Sequence, residues 1–238
     1  MDRRRVLGGT PWSPEIARPI AWYYAAGQYV SLNGAGVVNW NDKLAGGNDV
    51  IQATSIFQPT WESVNGWSST ESSIRAISQP LNSAGSGAAP IEAAFSGTGK
   101  PFSVLVTCQV LLAGTQNVCK WTGSGGVLQS CTINGSGFLG MTRSDGVTTE
   151  TATATVSPVG SGHLRLAFTF DGSTGSGYVE GLRAFNTILA NPGTMALTQF
   201  TLGDVRDLRY TEVIAIPRGL SAAEVALYNA YSLNEWGA

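Results

Sequence analysis

One histidine, three cysteines and sixteen carboxylates are the residues of this 238-residue chain that could do chemistry. A Ser-His-Asp relay would have to run through His163, which heads the alternating run His163–Phe170. No Gly-x-Ser-x-Gly turn stands between a strand and a helix to raise a serine nucleophile. Ser124, between two glycines, belongs to a hairpin turn. A lone histidine builds no multi-histidine metal site, and no cysteine pair has zinc-finger spacing. Glycoside hydrolysis needs two carboxylates flanking a sugar bond, whereas Glu92, Asp204 and Asp207 stand singly. The run Asp204-Val-Arg206-Asp207 reads as a solvated turn with a local ion pair. The glycine-rich stretches 123–126 and 172–177 lack the lysine and helix of a phosphate loop. These spacings predict a protein that is not an enzyme and carries no cofactor.

Binding chemistry has more candidates. Asn39, Asn41, Asp42, Asn48 and Asp49 offer the oxygen donors that calcium takes, without the carboxylate density of an EF-hand. Their alternative role is a turn in which Asx side chains bond their own backbone. Of seven tryptophans, Trp67 and Trp121 lie near Gly/Ser-rich loops and are the candidates for a glycan platform. A buried ring would instead fill the core. Cys119 and Cys131 flank the turn-rich stretch 122–126. In a hairpin symmetric about Gly125 they face each other. A cross-strand disulfide is then sterically open at the closer, non-hydrogen-bonded kind of pair, the alternative being two small buried hydrophobes. Cys108 sits in an apolar alternation and reads as core. Arg3, Arg4 and Arg5 form the basic cluster, either a disordered start or an arm that docks on a neighbouring chain. No apolar h-region follows them, so a secretory signal is not expected.

The elements that must position these residues are mostly short strands. Glycine numbers 30 and charged residues are 13%, about half the usual share. That composition suits many strands joined by tight turns. Net charge is −2, giving no general pull toward nucleic acid or membrane, and no stretch of about 18 apolar residues spans a bilayer. Strand-like runs recur at 20–24, 28–32, 37–41, 102–112, 117–122, 127–133, 136–142, 148–157, 163–170, 177–181, 200–204 and 209–216. Thr151–Val156 alternates strictly and presents one hydroxyl-rich face. Residues 63–100 have weak pattern and read as long loops. Ser221 and Glu224 have capping-box spacing, Leu220 and Val225 fit the hydrophobic staple, and Gly237 is placed to stop the helix. The expected organisation is an arm over 1–18 and one all-β, antiparallel two-sheet sandwich over 19–238, closed by a C-terminal helix.

Several segments also resemble a known family. Pro19-Ile-Ala-Trp22-Tyr23, Trp40-Asn-Asp42-Lys43, Phe168-Thr-Phe-Asp171-Gly172, Tyr178-Val-Glu-Gly181 and the ending Leu220-Ser221…Glu224…Tyr231…Trp236-Gly237 look like concanavalin A-like, laminin-G-type jelly rolls, domains frequent in bacteriophage virion proteins. Tyr24, Leu44-Ala45 and Glu235 depart from the family pattern, and the middle of the chain matches it poorly. The resemblance implies a jelly roll and a virion protein: a capsid decoration, cement, fibre or tail subunit acting through contacts with other virion proteins, and a homo-oligomer. The alternative it implies is a carbohydrate-binding or adhesin module that reads a host-surface glycan.

Overall fold

The computed structural model describes residues 12–25, 27–62, 73–77, 79–83, 89–111, 114–155, 162–190, 192–203 and 207–236. The first half contributes α1 (Pro14–Ala17), β1 (Ala21–Tyr24), β2 (Val30–Asn33), β3 (Gly36–Trp40), β4 (Val50–Ile51), β5 (Thr60–Glu62), β6 (Ser73–Ile77), β7 (Leu81–Asn82), α2 (Pro90–Phe95) and β8 (Phe102–Val110). The second half contributes β9 (Gln116–Thr122), β10 (Val127–Ile133), β11 (Leu139–Asp145), β12 (Thr149–Thr153) and β13 (Gly162–Phe170). It closes with β14 (Thr174–Val179), β15 (Leu182–Ile188), β16 (Gln199–Leu202), β17 (Asp207–Ile216) and α3 (Ala222–Trp236). Where long loops were expected, residues 73–95 hold β6, β7 and α2. Two of these are very short, and their polar residues satisfy buried bonds rather than an amphipathic period.

The strands stack as two antiparallel layers in a β-sandwich of jelly-roll type. The front sheet runs β12–β11–β10–β9–β16–β7–β4–β3–β2. The back sheet runs β15–β14–β13–β8–β17, and the far side of β17 is shared by β6 and β1. β5 pairs with β6 and, through Thr60 opposite Gly36, with β3, so one hydrogen-bonded ladder passes from layer to layer. The turns use the residues their geometry demands. Asn33-Gly34 links β2 to β3 with Gly34 at φ 61°, and Glu180-Gly181 links β14 to β15 with both residues at positive φ.

Alternation divides the side chains cleanly. Val104, Val106, Val213, Ala215, Leu166 and Phe168 point between the layers, where they meet Trp40, Trp121, Phe200 and Met141. Trp121 packs 4.7 Å from Phe200 and 4.9 Å from Phe95, ring centre to ring centre. The opposite parity of the back sheet, Trp22, Leu105, Ala167, Tyr178, Ile214 and Ile216, forms a second cluster under α3 with Val225, Tyr228, Leu220 and Ala17. α3 starts as its sequence requires. Ser221 N–H and Oγ–H donate to Glu224 Oε2, each at 2.9 Å, and Glu224 N–H donates back to Ser221 Oγ at 3.3 Å. Arg218 lies 2.7 Å from Glu224 and holds that carboxyl down to about 2, together with the Ser221 donors.

Candidate functional site

The Asx loop is built inward. Asp42 Oδ1 accepts from Trp22 N–H (3.0 Å) and Leu44 N–H (3.1 Å), and Asp42 Oδ2 accepts from Asn48 Nδ2 (3.0 Å). Asp49 Oδ1 caps Asp42 N–H at 2.8 Å, and Asn48 Oδ1 takes Ile91 N–H at 2.7 Å. Asn48 Nδ2 also donates to the Ile20 carbonyl, and Tyr23 O–H donates to the Asn48 carbonyl. Oxygens of Asn41, Asp42, Asn48 and Asp49 are engaged by protein donors, whereas Asn39 Oδ1 is buried without a partner among the described residues, and the loop ties β1, β3 and α2 together. Lys43, from the same loop, lies 3.5 Å above the Trp22 ring, a cation–π contact.

Beneath α3 lies a polar row of the back sheet: Tyr24, Glu212, Thr107 and Arg165 in register. Glu212 is fully buried and accepts from Trp22 Nε1 (2.8 Å), Tyr231 O–H (3.1 Å) and Trp236 Nε1 (3.4 Å). Burial pushes its carboxyl up to about 7, although the three donors pull the other way. Thr107 Oγ1 bonds Tyr228 O–H (2.9 Å) and Ser232 Oγ (2.8 Å). Trp12 adds edge-on ring contacts with Tyr228 and Tyr231 at 5.9 and 5.4 Å. The helix is thus held on this face by hydrogen bonds as well as by apolar packing.

The next row carries charge. Arg75 clasps Asp207 with two bonds of 2.9 and 2.6 Å, Arg209 clasps Glu62 and reaches Gln109 Oε1 at 2.9 Å, and Arg75 lies 3.7 Å from Glu62. Asp207 therefore answers Arg75 from β6 and is nearly buried, which corrects the expectation of a solvated turn. Residues 204–206 lie outside the described residues. His163 stands opposite Gln109 at the end of β13. Burial, Arg209 and Arg165 lower its pKa, so the imidazole is neutral at pH 7. Glu180 is bound to Arg165, and Glu92 is buried with Ser83 Oγ–H donating to it.

The outer face of the front sheet is different. Following the register across nine strands, one row reads Ser31, Asn39, Ile51, Asn82, Thr201, Lys120, Ser130, Thr142, Thr151. Parallel rows add Gln199, Thr122, Leu128, Ser144 and Thr149 on one side and Asn117, Thr132, Gly140 and Thr153 on the other. Hydroxyls and amides dominate, with Lys120 the one charged member of these rows. Neighbours brace each other: Thr201 Oγ–H donates to Asn82 Oδ1 at 2.8 Å, and Thr142 and Thr151 hydroxyls meet at 3.1 Å. Among the described residues no helix lies over this face. Its ends, Ser31 and Thr151, are exposed, and the middle, Thr201 and Ser130, is buried. The turn leaving β4 exposes Ile51, Ile56 and Phe57. Phe57, half exposed, is the one exposed aromatic ring among the described residues.

The sequence-derived candidates fall unevenly on this geometry. Trp121 is not a platform: its ring is fully buried in the interlayer core. Position 121 alternates inward from Lys120 and Thr122, so the nearby glycine turn does not expose it. Trp67 and Arg3, Arg4 and Arg5 lie outside the described residues. Cys119 and Cys131 do face each other in register, both buried and both free thiols. The Thr/Ser face was signalled only in β12, by Thr151 and Thr153. Phe57 carried no signal beyond an Ile-Phe pair in a turn.

No protein-family model and no curated protein matches the chain. Solved structures do. The binding domain of Paraclostridial Mosquitocidal Protein 1 superposes with a TM-score of 0.64 at 9% identity, covering 91% of this chain and 55% of that one. The botulinum neurotoxin serotype G binding domain gives 0.60 at 9%, covering 90% and 51%. Trypanosoma rangeli sialidase gives 0.60 at 15%, covering 91% and 33%. The chain spans about half the length of the toxin domains and a third of the sialidase. At these identities the likeness is one of fold, and the fold it shows is the jelly-roll sandwich.

Proposed function

We propose that this chain is a non-catalytic recognition module that binds a hydroxyl-rich ligand, a cell-surface glycan, on the outer face of its front sheet. The observation that carries the reading is the difference between the two outer faces. The back sheet is covered by α1 and α3, whereas the front sheet presents rows of Ser, Thr, Asn and Gln around Lys120. Such side chains donate and accept in the pattern that sugar hydroxyls require, and the turn after β4 exposes Phe57, an aromatic ring of the kind on which a sugar can stack. The likeness to toxin binding domains, and to a sialidase also solved with sialic acid bound, supports recognition over structure alone. Asp42, Asp49, Asp145 and Asp171 are committed to loop N–H groups, Glu62, Glu180, Asp207 and Glu224 to arginines, and Glu212 to the α3 clamp, which supports binding without turnover.

The test is a glycan array followed by calorimetric titration of the best hit. Wild type is expected to bind saturably. Thr142→Arg and Lys120→Glu, which change the face without touching the core, are expected to lose binding at an unchanged melting temperature. Released reducing ends are expected to stay at background. Binding that survives both variants would move the site off Lys120 and Thr142, and its loss in Trp67→Ala would assign it to that ring. The virion setting, with head or tail proteins as partners, rests on the sequence resemblance and is compatible with this role, the module displaying its open face from the particle. Light scattering of the full chain and of a form lacking residues 1–11 tests the arm: a smaller assembly on deletion supports it as a link between copies.

A further inference from the structure

Cys131 on β10 stands directly opposite Cys119 on β9. Both side chains point between the layers in a row with Leu202, Met141 and Ala152, and both are fully buried. The two side chains lie within hydrogen-bonding reach of each other. Either kind of antiparallel pair sets Cα atoms about 4.5 to 5.5 Å apart, inside the span a disulfide bridges. The extra residue of the adjoining bulge is Val118 on β9, set opposite the step from Cys131 to Thr132, a feature that increases local twist without breaking the opposition. Cys108, the third thiol, lies on β8 opposite Tyr210 and Leu164, and no cysteine faces it in register.

We propose that Cys119 and Cys131 close a cross-strand disulfide when the chain folds in the presence of a small-molecule disulfide such as oxidised glutathione. The thiolate of one cysteine attacks glutathione disulfide and releases one glutathione thiolate. The second cysteine thiolate then attacks the mixed disulfide and releases the other. The protein loses two hydrogens, its two sulfurs are oxidised by two electrons in total, and one glutathione disulfide becomes two glutathione thiols. Exchange needs thiolate and access, and neither is at hand once both groups are sealed in the core. The bond is therefore made while the hairpin is open, and the finished fold then protects it. It would staple the two strands whose outer faces carry Lys120, Ser130 and Thr132, and it stands independently of what those residues bind.

The full chain is refolded from denaturant in a mixture of reduced and oxidised glutathione. It is then quenched in acid, denatured, alkylated with N-ethylmaleimide and weighed by mass spectrometry. The expected product carries one adduct and lacks two hydrogens. A non-reducing digest of the Cys108→Ala variant is expected to join the peptides holding positions 119 and 131. Three adducts, a retained glutathione, or a bond that includes Cys108 would overturn the assignment. A second readout is the melting temperature of protein refolded with oxidised glutathione against protein refolded under reductant, expected to be higher for the first in wild type and in Cys108→Ala. No difference in either would equally overturn it.

Discussion

Arg143 is a cation sealed between the sheets, 1% exposed, opposite Glu150 in register but, among the described residues, in no ion pair with a carboxylate. Its Nη1 donates to the Leu189 carbonyl at 2.8 Å, Nη2 lies 3.3 Å from Met195 Sδ, and its Cζ sits 3.9 Å from the centre of the Phe170 ring. Burial pulls the guanidinium down to about 10, so it stays charged at pH 7 and bears a desolvation cost. Arg143→Met keeps the packing on Phe170 and removes that cost. It is expected to stay within about 1 kcal/mol of wild type in denaturant unfolding, while Arg143→Ala opens a cavity and loses about 2–4 kcal/mol. Equal losses would show that the bond to Leu189, not volume, is what matters. Trp121→Ala is expected to cost about 3–5 kcal/mol, the signature of a core ring rather than a ligand platform. Residue roles were only partly legible beforehand. The Cys119–Cys131 opposition and the capping box follow from spacing within one hairpin or one helix turn. Glu212, Arg143 and Asp207 take their roles from partners 19 to 190 positions away, which no local pattern encodes.

α3 shows how an element can be fixed by a buried acid. Glu212 gathers two indoles and a phenol from β1 and α3. Its carboxyl titrates near 7 when folded, against 4.5 as the ordinary value. The folded state therefore holds a proton that the unfolded chain has released between those values. Stability is greatest below about pH 4.5 for this group and declines as pH rises to about 7, by on the order of 3 kcal/mol. Melting temperatures from pH 4.5 to 8 are expected to fall along this window in wild type and to flatten in Glu212→Gln. A wild-type slope that persists in the variant would assign the pH dependence elsewhere. At the start of the same helix, Ser221→Ala removes the reciprocal cap and is expected to cost about 1 kcal/mol in thermal or denaturant melts. Strands with clean alternation, β8, β10, β13 and β17, were readable from sequence. β4, β6, β7 and β15 were not: two of them are two residues long, and β15 pairs across a bulge that breaks its period.

For the molecule as a whole, sandwich class and the covering helix were legible because turn signals recur and one amphipathic segment is capped. The hydroxyl-rich face proposed to bind was not, because it emerges only when nine strands align in register. α1 and α3 cover part of the back sheet's outer face, and one face of the front sheet is spent on the core, so recognition, as proposed, falls on one broad surface. The disposition of the two ends adds to this. Trp12 and Trp236 both lie on the α3 side, behind the sandwich. An anchor held beside Trp12 or Trp236 would therefore point the hydroxyl rows away from whatever it is fixed to. Protein immobilised on a sensor chip through an N-terminal or a C-terminal tag is expected to capture a ligand in solution equally well. Coupling through cysteine introduced at Thr151, on the hydroxyl face, should silence it.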